Sequence, residues 1–137
     1  MKISISRTDD DFQMKAINES GNELLMDGSL AIGGHESAFR PMQLLLAAVG
    51  GCSSIDIILI LKKQKQQIDS FDVEVEGDRE SVEEYSLFRN IVLHFKIKGN
   101  LDHDKAEKAI KLSLEKYCSV SKTLEPTAKI SYKLSIN

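Results

Sequence analysis

A chain of 137 residues, 42% hydrophobic and 28% charged, is long enough to bury a real core and has an ordinary soluble composition. Its net charge of −3, with both signs spread along the sequence, argues against a dedicated nucleic-acid binder, which would carry a basic stripe. The opening segment MKISISRTDDDF lacks the apolar stretch of a signal peptide, and the two cysteines stand 66 positions apart (118 − 52), so a reducing, cytoplasmic setting is expected.

In chain order, the N-terminal region reads as three strands at about 2–7, 11–18 and 22–28, with DDD and ESGN as their turns. Residues 29–40, SLAIGGHESAFR, read as a loop centred on Gly33 and Gly34, and Pro41 suits the first turn of a helix. Three later segments alternate. Phe71, Val73 and Val75 oppose Asp72, Glu74 and Glu76. Ile91, Leu93, Phe95 and Ile97 oppose Val92, His94, Lys96 and Lys98. Ile130, Tyr132, Leu134 and Ile136 oppose Lys129, Ser131, Lys133 and Ser135. Period-two patterns of this kind predict half-buried antiparallel strands. A second helix is expected over about 103–116, with Asp102 as N-cap and an inner face of Ala106, Ala109, Ile110, Ser113, Leu114 and Tyr117. The pairs Asp104–Lys108 and Glu107–Lys111 would lie on its solvent side, and SVSKTLEP would form a short helical turn closed by Pro126. The expected order is β-β-β-α-β-β-α-β, an α+β fold in a single domain, residues 1–137.

The first helix carries PMQLLLAAVGGCSSIDIILIL, whose stretch Leu44–Leu61 spans 18 positions. That is just short of a bilayer crossing, and Asp56, Ser53, Ser54 and two glycines sit inside it, so burial in protein rather than in a membrane is expected. A helix apolar nearly all round must be covered on every side. Six short strands would struggle to do so, and dimerisation with this helix at the centre is the natural solution.

Within this helix Cys52 is a candidate for chemistry, although a free cysteine often serves only as a small buried apolar residue. Gly50 and Gly51 remove side chains beside the thiol, Ser53 and Ser54 add hydroxyls, and Asp56 lies one turn on, roughly on the same face. Asp56 alone would oppose a thiolate, and helps only by holding a cation against the sulfur. Otherwise it is a carboxylate satisfied by a lysine or by backbone donors. Cys118 ends the second helix, where the dipole disfavours an anion. If SVSKTL begins a new helical turn, the same sulfur sits at a helix N-terminus, where a thiolate is favoured. His35, His94 and His103 form no HxxH or HxxxH pair and there is no CxxC, so the spacing supports no metal site or cofactor. No G-x-S-x-G is present, and IGGHES is a weak phosphate-loop candidate.

Together, PMQLLLAAVGGCSSIDIILIL and EKYCSVSKTLEPTAKISY resemble the OsmC/Ohr family of thiol-dependent peroxide-reducing proteins. In that family a proline-led helix carries the reactive cysteine, and a segment close to Y/H-C-x-V-S carries its partner. The resemblance runs in order from Pro41 to the end and includes Gln43 near the helix start. It implies two antiparallel three-stranded sheets with two long central helices in an intertwined homodimer. It also implies that Cys52 is peroxidatic and Cys118 resolving, that organic hydroperoxides are the substrates, and that an external dithiol of lipoyl or thioredoxin type restores both thiols. The well-characterised organic-peroxide reductases have a glutamate directly after the proline, which orients an arginine from the first hairpin onto the cysteine. Here that position is Met42. Arg7 and Arg40 compete for the arginine's part, and GGCSSID looks closer to a less-characterised branch in which Asp56 would take over the carboxylate's role.

The expectation is therefore a cytoplasmic homodimer reducing organic hydroperoxides, with no nucleic-acid or membrane partner. Two rivals are a non-catalytic dimer holding an apolar ligand in a helix-lined pocket, and a carrier of acyl or persulfide groups on Cys52.

Overall fold

A computed structural model describes all residues, Met1–Asn137. The chain forms two compact units, Met1–Leu45 and Leu46–Asn137. In the first, β1 (Ile3–Arg7), β2 (Met14–Asn18) and β3 (Glu23–Met26) make an antiparallel meander in the order β1-β2-β3. DDD and ESGN do fall in its turns: Asp9 Oδ1 accepts the N–H groups of Asp11 and Gln13, and Gly21 takes a left-handed φ of 84°. The register aligns Ile5, Ala16 and Leu24 on one face. With Ile3, Met26 and Leu44 they line an apolar cleft of about 370 Å³, and Ile3 and Ile5 remain 53% and 60% exposed. The loop beyond is organised by buried Asp27, whose carboxylate accepts from the backbone N–H of Gly28, His35 and Ser37 and from the Ser37 hydroxyl at 2.6 Å. These donors hold its carboxyl down to about 2, the Ser37 hydroxyl contributing most.

Helix α1 (Pro41–Lys63) begins in this unit and runs on through the second. There β4 (Ser70–Ser81) pairs antiparallel with β5 (Ser86–Lys98), with a bulge at Asp78/Arg79. On β5 the alternating residues Ile91, Leu93, Phe95 and Ile97 are at most 1% exposed, the inward face that the alternation predicts. Each such side chain contributes about 1.5–3 kcal/mol by burial. Val49, Ile57 and Leu61 of α1 and Ala106, Ala109 and Ile110 of α2 (His103–Leu112) complete this core. Asp102 caps α2, accepting from the N–H of Lys105 at 2.9 Å. Glu107 accepts the Tyr132 hydroxyl at 3.0 Å and lies 3.9 Å from His103, so its partners are these rather than Lys111.

The second sheet corrects the expectation of two antiparallel sheets. β6 (Lys129–Ile136) lies parallel to β5, with Ile91 opposite Ile130 and Phe95 opposite Leu134. The crossover through α2 and α3 (Ser119–Leu124) carries the chain back to the end where β5 began, which is what a parallel neighbour requires. Tyr117 is a second correction. The turn Ser113–Tyr117 is widened, closing with Cys118 N–H to Ser113 O at 2.7 Å, five residues apart. One extra residue in the turn rotates the chain beyond it, so Tyr117 is 52% exposed and Cys118 takes the inward position, fully buried.

Candidate functional site

The site lies within the second unit, where Cys52 and Asp56 share a face of α1 at i,i+4 and Cys118 faces them from the junction of the widened turn and α3. The two sulfurs and an Asp56 carboxylate oxygen all lie within 4.8 Å of one another. Both cysteines are free, Cys52 half-buried and Cys118 buried.

Local sequence explains each placement. An added Cβ on Gly50 would come 2.8 Å from Val75 Cγ2, so this glycine lets α1 lie close against β4. At Gly51 nothing lies within 4 Å, which leaves the surface beside Cys52 open. Of the pair only Gly51 fits the expectation of access to the thiol. The serines do not serve it either: Ser53 Oγ donates to Val49 O at 2.7 Å and Ser54 Oγ to Gly50 O at 2.6 Å, both back-bonding to the helix.

Asp56 meets neither a cation nor a lysine. Its Oδ2 accepts from the buried Ser113 hydroxyl at 3.0 Å, and no basic group pairs with it within 4.0 Å. Cys118 is the N-cap of α3, and its sulfur accepts the Ser121 N–H at 3.4 Å. Burial nonetheless pushes its thiol up from the usual value, the Ser121 N–H opposes this, and the Cys52 sulfur adds to the rise. Beside the site, a cleft of about 580 Å³ is lined by Asp56, Leu59, Ile60, Lys63, Leu112 and Tyr117 among others.

A sequence model described as "OsmC-like protein" matches residues 34–133. The chain belongs to the OsmC-like family. It is 38% identical over 118 residues to Protein YhfA of Escherichia coli K12, covering 85% of this chain and 84% of that one. Its fold superposes on a hypothetical protein from Aquifex aeolicus with a TM-score of 0.81 at 26% identity, covering 99% and 96% of the two chains. An organic hydroperoxide resistance protein OsmC from Legionella pneumophila shares the fold, with a TM-score of 0.74 at 19% identity over 98% and 97% of the two chains.

In this OsmC-like chain the other sequence candidates have local partners. Arg7 donates to the backbone carbonyls of Asp10 and Asp11 in its own turn. Arg40 pairs with Glu36 at 2.8 Å, and Gln43 Oε1 accepts the Arg40 N–H at 3.0 Å. Two further residues belong to the site that sequence patterning does not single out. Ser113 reads in sequence only as a member of the helix's inner face. Ser121 N–H holds the Cys118 sulfur, and its hydroxyl bridges to the carbonyls of Leu114 and Cys118. A serine at a position whose neighbours are all apolar is the one available signal for Ser113. A second cluster, His103, Asp104 and Glu107, also offers metal-ligand atoms, but it is an exposed to half-buried helix start with ordinary charge pairing.

Proposed function

We propose that the chain is a thiol-dependent reductase of organic hydroperoxides working through Cys52 and Cys118. The observation that carries this reading is the proximity of the two free sulfurs, within 4.8 Å before any oxidation. Small side-chain movements bring them to the ~2.05 Å of an S–S bond. The Cys52 thiolate attacks a hydroperoxide oxygen, the O–O bond breaks, and the alkoxide leaves as the alcohol after taking a proton. Cys52 is then a sulfenic acid. Cys118 condenses with it, forming the S–S bond and releasing water, and an external dithiol of lipoyl or thioredoxin type reduces the disulfide by exchange. A buried Cys118 held protonated suits a resolving thiol, because it does not compete with Cys52 for peroxide.

The apolar part of the neighbouring cleft, Leu59, Ile60 and Leu112, suits the organic group of the substrate. The homodimer belongs to the same reading. Ile55 on α1 is 70% exposed in the single chain, and the first sheet exposes Ile3 and Ile5, so a second copy would supply the missing cover. The cycle also needs a reducing compartment, in keeping with a cytoplasmic location.

The local engagement of Arg7 and Arg40 favours a second reading, the same dimer holding an apolar ligand without turnover. Steady-state reduction of cumene hydroperoxide with dihydrolipoamide or reduced thioredoxin as donor separates the two. The peroxidase reading expects turnover lost in Cys52→Ser and in Cys118→Ser. Equal background rates in wild type and Cys52→Ser would reject it.

A further inference from the structure

Cysteine and carboxylate spacing along the sequence gives no metal motif, yet the fold assembles a three-ligand cluster from residues 52, 56 and 118. We propose that Cys52, Cys118 and Asp56 form a site for a thiophilic divalent cation, zinc(II), whose occupation excludes the disulfide. The chemistry of the donors selects the class: two sulfurs and one carboxylate oxygen suit zinc rather than the oxygen-seeking magnesium or calcium. The geometry is within reach. Zn–S bonds of about 2.3 Å and Zn–O bonds of about 2.0–2.2 Å in a tetrahedron set ligand atoms roughly 3.4–3.8 Å apart. The three atoms here are mutually within 4.8 Å, so inward shifts of about 1 Å complete the site.

Ligand-orienting contacts are present as well. The Ser113 hydroxyl holds Asp56 Oδ2 at 3.0 Å, using one of the carboxylate's lone pairs and leaving others for the metal, and the Ser121 N–H holds the Cys118 sulfur at 3.4 Å. No lysine, arginine or histidine lies within 4.0 Å of the Asp56 carboxylate, so no ion pair has to be broken for it to take a metal. The cleft that Asp56 lines gives an ion a way in, and water would fill the fourth position. Binding forms two S–Zn bonds and one O–Zn bond, and the two thiol protons leave to solvent. Because the same sulfurs serve the disulfide, the zinc-bound and oxidised forms are mutually exclusive.

The test uses the reduced, metal-free protein titrated with zinc against a chromophoric chelator, and with cobalt(II) as a spectroscopic probe. The expected result is one metal per chain with thiolate-to-cobalt charge-transfer absorption. Affinity should fall at least roughly 100-fold in Cys52→Ser and Cys118→Ser and roughly 10–100-fold in the isosteric Asp56→Asn. His103→Ala should leave affinity unchanged, and the disulfide form should not bind. Absence of saturable one-to-one binding, or binding indifferent to Cys118→Ser and Asp56→Asn in folded variants, overturns the proposal. Hydroperoxide turnover measured with chelator present reads the peroxidase reading separately, so either can fail alone.

Discussion

Adjacent glycines on α1 allow one substitution to be compared in two environments. Gly50→Ala and Gly51→Ala each gain about 1 kcal/mol of helix propensity, because alanine loses less backbone entropy than glycine. At position 50 the new Cβ would lie 2.8 Å from Val75 Cγ2, a methyl on a short β-branched side chain with restricted χ1 freedom. Relieving that overlap needs helix α1 or strand β4 to shift, a strain of about 1–3 kcal/mol. At position 51 nothing lies within 4 Å. Propensity cancels in the comparison, so the 50 variant should be less stable than the 51 variant by about 1–3 kcal/mol. Taken singly, Gly51→Ala should be neutral or stabilising and Gly50→Ala neutral to destabilising by about 2 kcal/mol. Urea unfolding followed by circular dichroism at fixed protein concentration reads both values. Equal stabilities would refute the reasoning that Gly50 exists for close approach.

Further outcomes concern titration, hydrogen bonding and assembly. Asp27 is held near 2 by its four donors, below its ordinary 3.8, so its contribution is fully present above about pH 4 and is lost as pH falls through about 2. Asp27→Asn should flatten that acid limb in a plot of unfolding free energy against pH. His35 is raised chiefly by its hydrogen bond to Asp11, so its contribution is present below its ordinary 6.5 and is lost as pH rises through the raised value. Asp11→Asn should remove that alkaline-side loss. Ser113→Ala removes the one hydroxyl that Asp56 accepts and should cost about 1 kcal/mol in urea unfolding, the half-buried carboxylate regaining water in part. Ile55→Glu places a charge where a second copy would cover the helix, and should weaken self-association by about 2 kcal/mol, roughly 30-fold, in sedimentation equilibrium. An unchanged dimer constant would move the interface elsewhere.

Much of this fold is legible in the residues themselves. The alternation of Ile91, Leu93, Phe95 and Ile97 marks β5 and its inward face, and Asp102 marks the start of α2, because each signal is local. The direction of β6 is not local. A period-two pattern reads the same in a parallel or antiparallel strand, and only the crossover through α2 and α3 decides it. Helical spacing likewise points Tyr117 inward, and the single widened turn before it reverses the outcome in favour of Cys118. At the site, the pairing of Cys52 with Cys118 is legible only through resemblance to the OsmC/Ohr family, whereas the Asp56–Ser113 hydrogen bond joins residues 57 positions apart and leaves no periodic trace. Gly50 and Gly51 look alike in sequence, and only the position of Val75 separates packing from access.

The central claim is a redox cycle between Cys52 and Cys118, and a single turnover tests it most directly. Fully reduced, metal-free protein would receive one equivalent of cumene hydroperoxide, followed by intact mass, thiol count and peptide mapping. The account predicts loss of two thiols and of about two hydrogens in mass, a mapped Cys52–Cys118 disulfide, and arrest at sulfenic acid on Cys52 in Cys118→Ser. Survival of both thiols in excess hydroperoxide, or a disulfide only between chains, would contradict it.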